Sequence, residues 1–149
     1  MQTRTERIQK DIETLAQFTS TPGKGVTRSS YSKEDTMAKY YLTGEMKKIG
    51  LEIYEDGFGT LFGRREGTMK DAPVVMLGSH YDSVVNGGAF DGVAGSVSAL
   101  EVMRVLTEEG FVNDYPLELI LMNAEEGATF GPSTGVSNSR AMLGTMTQR

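Results

Sequence analysis

The only histidine of the chain, His80, stands in the run GSHYDSVVNGGAFDGVAGS, residues 78–96. Asp82 follows two positions later, Asp91 sits among glycines, and the adjacent pair Glu125–Glu126 lies downstream. An imidazole nitrogen and carboxylate oxygens are donors that zinc and manganese accept. His80 offers one ring nitrogen to an ion. Asp82 can accept the other ring N–H and fix the tautomer. Asp91 has two oxygens and can bridge two ions, while Gly87, Gly88, Gly92 and Gly95 allow close approach of the backbone. Of the two glutamates, one can bind an ion while the other takes a proton from water. Each feature also has a plain structural alternative: an ordinary strand end for H-x-D, a helix N-cap for Asp91, a solvated loop for the glutamates. The segment GPSTG, residues 131–135, matches G-x-S-x-G, but no strand precedes it and no histidine follows it. Ser133 therefore reads as a turn residue and not as a nucleophile.

Residues so far apart act together only if the fold collects them. Thr5 to Phe18 has a helical stripe of Ile8, Ile12, Leu15 and Phe18. Pro22, Gly23 and Gly25 break it. Ser32 is an expected N-cap with Asp35 at the capping-box position. The helix it opens runs to about Ile49, with Met37, Tyr40, Tyr41 and Met46 inward and Gly50 closing it. LEIYED and TLFGRRE, on either side of Gly57–Gly59, read as short strands. APVVMLGS is a continuous apolar run that predicts a strand buried on both faces. Val93 to Glu109 predicts a helix with Ala94, Ala99, Val102, Met103 and Leu106 toward a sheet. YPLELILMNA predicts another buried strand ending at Ala124, followed by a loop and a short helix from Ala141. Strand, helix and strand in that order predict an α/β fold with a mainly parallel sheet flanked by helices. His80 and Asp82 then follow one strand, Glu125 and Glu126 follow another, and Asp91 opens the joining helix. All five fall on the carboxyl edge of the sheet, where open α/β folds place their sites.

Composition narrows the class. The chain has 149 residues, 38% of them hydrophobic and 23% charged, which suits one globular domain and disfavours disorder. A net charge of −5 without a basic patch argues against nucleic acid. Absence of cysteine removes disulfides, thiolate metal sites and a cysteine nucleophile. No apolar run approaches the roughly 20 residues of a membrane span. The N-terminus MQTRTERIQKDIETLAQF has no apolar core of a signal peptide. A cytoplasmic location without a membrane partner is the expectation.

GSHYDSVVNGGAFDGVAG and NAEEGATFGPSTGVSNSRAMLG closely resemble the allantoate amidohydrolase and N-carbamoyl-L-amino-acid hydrolase group, with its β-ureidopropionase-type members. That group lies within the aminoacylase- and carboxypeptidase-like dimetal hydrolases. GVTRSSYSKED and DGFGTLFGRREG are similar to its N-terminal half. The resemblance implies a zinc-exopeptidase-like catalytic domain with two zinc or manganese ions and no organic cofactor. It implies His80, Asp91 and Glu126 as ligands, with Asp91 bridging, Glu125 as general base and Asp82 orienting His80. The implied reaction is hydrolysis of a ureido or carbamoyl C–N bond in a small substrate. Thr60 and Thr129 depart from the group's usual Asn and basic residue. The group's two further metal-binding histidines and its lid and dimerisation domain find no counterpart in residues 1–149. The chain thus reads as the N-terminal segment of the catalytic domain, with weak metal binding and little turnover alone. An exposed sheet edge invites a homodimer. The alternatives are a non-catalytic fragment or interaction module of the same fold, or a related aminoacylase or aminopeptidase.

Overall fold

The structure is a computed structural model that describes residues 2–69, 71–127 and 135–146. Helix α1 spans Thr5–Ala16 and buries Ile12 and Leu15, with Ile8 and Phe18 packed against the core. The predicted stripe is therefore the buried one. Helix α2 spans Lys33–Lys48. Ser32 caps it by accepting the Asp35 N–H at 3.2 Å, and the Asp35 carboxylate accepts the Tyr31 N–H at 2.9 Å. Its inward face differs from expectation. Ala38, Leu42 and Met46 are buried, whereas Met37 and Tyr40 are exposed and Tyr41 is partly covered. The face of Ala38, Leu42 and Met46 is turned to the sheet, with Met46 over Gly63, and Tyr40 keeps its ring in water.

Strand β1 (Glu52–Glu55) turns through residues 56–60 into β2 (Leu61–Arg65). The Asp56 carboxylate accepts the N–H groups of Phe58 and Thr60, both at 2.9 Å, which closes this turn. Strand β3 (Val75–His80) leads through helix α3 (Val93–Glu108) to β4 (Leu117–Met122). Helix α4 (Ser137–Met142) starts before the expected Ala141.

The four strands form one sheet in the order β1-β2-β4-β3. Only β3 and β4 are parallel; β1–β2 and β2–β4 are antiparallel. This corrects the expectation of a mainly parallel sheet. A connection as short as residues 56–60 can only reverse the chain, whereas the α3 crossover is long enough to return it parallel. The α/β class stands. Strand β3 is also not buried on both faces. Among the described residues it pairs only with β4, and Val75 and Met76 are about half exposed. A run of apolar residues says that a strand is present, not how many neighbours it has.

The register puts Leu61, Leu119, Leu121 and Leu77 on one face of the sheet. That face meets α3, and α1 packs on α3. The core of Leu15, Leu42, Met46, Val97, Leu100 and Met103 fills the space between. Helix α3 buries a wider arc than expected, including Glu101 and Arg104, and leaves Val102 exposed. Gly78 is required where β3 lies against β4, since a Cβ there would stand 1.7 Å from the Ile120 carbonyl oxygen. Among the described residues no helix is long and apolar enough to cross a membrane.

Candidate metal centre

The parallel pair β3–β4 brings His80 opposite Met122, so both strands end together. Immediately beyond those ends lie Asp82 and Glu125–Glu126. Asp91 precedes α3, whose N-cap is Gly92 without any side-chain cap. The capping alternative for Asp91 therefore does not hold. Gly92 has φ +64°, and a Cβ on it would lie 2.4 Å from the His80 ring. Only glycine combines that backbone with that approach, which is what brings Asp91 beside the imidazole.

His80 Nε2 is 3.7 Å from Asp91 Oδ1 and 3.8 Å from Glu125 Oε2. One potential ligand atom from each of His80, Asp91 and Glu126 lies within 4.8 Å of the others. His80 Nδ1 faces the Asp82 backbone carbonyl at 3.1 Å, with the Asp82 carboxylate at 3.5 Å. A carbonyl only accepts, so the ring proton belongs on Nδ1 and the Nε2 lone pair faces the carboxylates. The expected role of Asp82 thus reaches His80 through its backbone as well as its side chain. The buried Asp82 carboxylate is occupied chiefly elsewhere. It accepts the N–H groups of Glu125 at 3.3 Å and Glu126 at 3.1 Å, and the Ser30 hydroxyl at 3.1 Å.

Burial lowers the affinity of His80 for a proton, yet Asp82 and Glu125 outweigh this and hold its pKa above the ordinary value. Burial raises the Glu126 pKa, and the charges of Asp91 and Glu125 add to the rise. Carboxylates crowded around one imidazole favour any added positive charge, whether proton or metal ion. The nitrogen-and-oxygen donor set fits zinc or manganese.

A pH dependence follows. A raised His80 pKa stabilises the ion-free fold below the unfolded value, and that stabilisation is lost as pH rises through the folded pKa. An ion needs the neutral ring. Zinc affinity is therefore expected to climb with pH through the raised His80 pKa, while the thermal midpoint of the ion-free chain falls. Titration calorimetry and thermal melts at stepped pH test both signs; a zinc affinity flat across that range would remove His80 from the ligands.

The structure brings all five singled-out residues to one edge. Thr129 and Ser133 lie outside the described residues. Thr60 is fully buried at the start of β2. Three supporting residues escaped sequence reasoning: Ser30, Asn123, and Asp35 beyond its capping role. The Asn123 amide donates to Asp35 at 3.4 Å, and its Oδ1 accepts the Ala124 N–H at 3.0 Å. Nothing in the hydroxyl-rich loop around Ser30 marks that residue in advance.

Residues 60–146 match the model of peptidase family M28. The chain is 47% identical to the N-carbamoyl-L-amino-acid amidohydrolase of Paenarthrobacter aurescens over 97% of its own length and 34% of that protein's. It is 41% identical to the ureidoglycolate hydrolase of Oryza sativa, over 92% of this chain and 28% of that one. The solved hydantoinase/carbamoylase family amidase of Burkholderia ambifaria superimposes with a TM-score of 0.90 at 33% identity, covering 97% of this chain and 35% of that one. The chain thus spans about a third of the length of the relatives it matches.

Proposed function

This chain belongs to peptidase family M28, and from that premise we propose that it is part of a metal-dependent hydrolase of ureido or carbamoyl C–N bonds in small substrates. N-carbamoyl amino acids and allantoate are the substrate type. The observation that carries the proposal is the convergence of His80, Asp91 and Glu126 within 4.8 Å, with Glu125 3.8 Å from the His80 ring. His80, Asp91 and Glu126 would hold zinc or manganese, which when bound would polarise a carbonyl and acidify water. Glu125, partly open to solvent, takes the proton of the attacking water and passes it to the departing nitrogen. Asp82 holds the His80 ring in place from behind.

Three ligands suffice for one catalytic zinc, which ordinarily takes three protein ligands and a water. A second ion needs donors beyond these three. We infer that residues 1–149 act as the N-terminal segment of the catalytic domain and take up ions weakly alone. The ureido preference rests on the likeness to carbamoyl and ureido hydrolases.

A chimera tests this reading. The matching third of the Paenarthrobacter amidohydrolase is replaced by this chain, and ammonia release from N-carbamoyl-L-amino acids and allantoate is measured. Turnover that Glu125→Gln abolishes while zinc uptake persists is the expected result. A chimera that folds and binds zinc but hydrolyses no ureido substrate overturns it.

A further inference from the structure

Ser30 is buried in the loop before α2, far in sequence from the metal centre. Its hydroxyl donates to Asp82 Oδ2 at 3.1 Å and accepts the Ala124 N–H at 2.9 Å. The next two amides, of Glu125 and Glu126, donate to the same Asp82 carboxylate. Three successive N–H groups after β4 therefore end on one hydroxyl–carboxylate pair. We propose that Ser30 is a positioning residue of the metal centre: with Asp82 it staples the end of β3 to the turn after β4, and so sets the place of Glu125 and Glu126 relative to His80. The link to metal binding rests on the function proposed above; the staple itself does not.

The backbone shows why support is needed. Ala124 has φ +59°, a conformation that non-glycine residues adopt only when their surroundings hold them there. Hydrogen bonds to a carboxylate are strong and directional enough to do so. Ser30 is itself held on both sides. The Arg28 N–H donates to Ser83 Oγ and the Ser83 N–H donates to the Arg28 carbonyl, while the buried Arg28 guanidinium donates to the Tyr81 carbonyl at 2.6 Å. On the other side the Tyr31 N–H is fixed on Asp35. A serine hydroxyl gives one hydrogen and accepts others, which matches one donation to Asp82 and one acceptance from Ala124. Alanine there would leave Asp82 Oδ2 with the Glu126 amide and the Ala124 N–H with Asn123 Oδ1.

The test is residue-resolved amide exchange by NMR on the ion-free chain, beside zinc calorimetry, for Ser30→Ala and Ser30→Thr. In Ser30→Ala the amides of Ala124, Glu125 and Glu126 are all expected to exchange faster, although only Ala124 touches Ser30. Zinc affinity should fall about 10–100-fold, the usual cost of losing a partner behind a metal ligand. Ser30→Thr keeps the hydroxyl and should restore most of both. Faster exchange confined to Ala124, or no change, overturns the staple. Should Ser30→Ala fail to fold, Ser30→Cys, of similar shape but weak in hydrogen bonding, carries the same comparison. If the unsubstituted chain takes up too little zinc to titrate, the affinity comparison moves to the chimera; a chimera that takes up no zinc sinks the proposed function, and the amide pattern still decides the role of Ser30.

Discussion

Asp91→Ala is expected to lower zinc affinity by more than the roughly 10–100-fold that loss of an indirect partner costs, because the proposed function makes Asp91 a direct ligand. Its side chain is 58% exposed and makes no helix cap. Exposed substitutions of that kind change stability by about 0.5 kcal/mol or less. Burial first, and then the charges of Asp91 and Glu125, push the Glu126 pKa up. Removing Asp91 takes one like charge away from Glu126 and one opposite charge away from His80, 3.7 Å off, so the stability of the ion-free chain should barely change. A large loss of metal affinity with little change in stability separates a ligand from a structural residue. Calorimetric zinc titration and denaturant melts of the same preparation read both. Unchanged affinity in the variant would remove Asp91 from the ligands and put the bound ion elsewhere on the chain.

Asp11→Ala should cost the fold most. Asp11 on α1 and Arg104 on α3 are both buried and meet at 2.5 Å. Arg104 reaches on to Glu45 of α2 at 2.6 Å, and Asp11 also accepts the Tyr41 hydroxyl at 2.6 Å. Fully buried Glu101 accepts the Arg4 N–H and the Arg7 guanidinium, which also pairs with Glu108. Three helices are thus clamped by charges that have left water. Removing one partner of such a pair strands the other, at about 3–5 kcal/mol. Glu45 still holds Arg104, so about 3 kcal/mol is expected, a fall in thermal midpoint on the order of 10 °C. Tyr41→Phe removes a single hydrogen bond and should cost about 1 kcal/mol. Urea melts at neutral pH decide; a loss under about 1 kcal/mol for Asp11→Ala would show that Glu45 and the nearby Glu101 satisfy Arg104 without Asp11. Neither variant removes a hydrogen bond of the metal centre.

What the sequence by itself determined is local. The period of Ile8, Ile12 and Leu15 names a helix and its buried side, and Ser32 names where α2 starts. The apolar runs name β3 and β4 as strands. Residue types name His80, Asp82, Asp91, Glu125 and Glu126 as candidate ligands and bases, and the strand–helix–strand order is enough to place them on one edge. Whether strands run parallel, which side of α2 is buried and what lies behind the site were decided only by tertiary structure. Ala38 is inward and Tyr40 outward because α2 turns the face of Ala38, Leu42 and Met46 to the sheet, where Met46 lies over Gly63 of β2. Strand β3 is half exposed because its single described neighbour is β4. The Asp82 carboxylate meets Ser30 and the turn after β4 across 52 and more than 40 residues of chain. Hydrophobic period and capping act within a few residues and leave a mark in the sequence. Strand pairing and buried hydrogen bonds are satisfied by whichever distant group the packed core delivers, so their partners have no local signature.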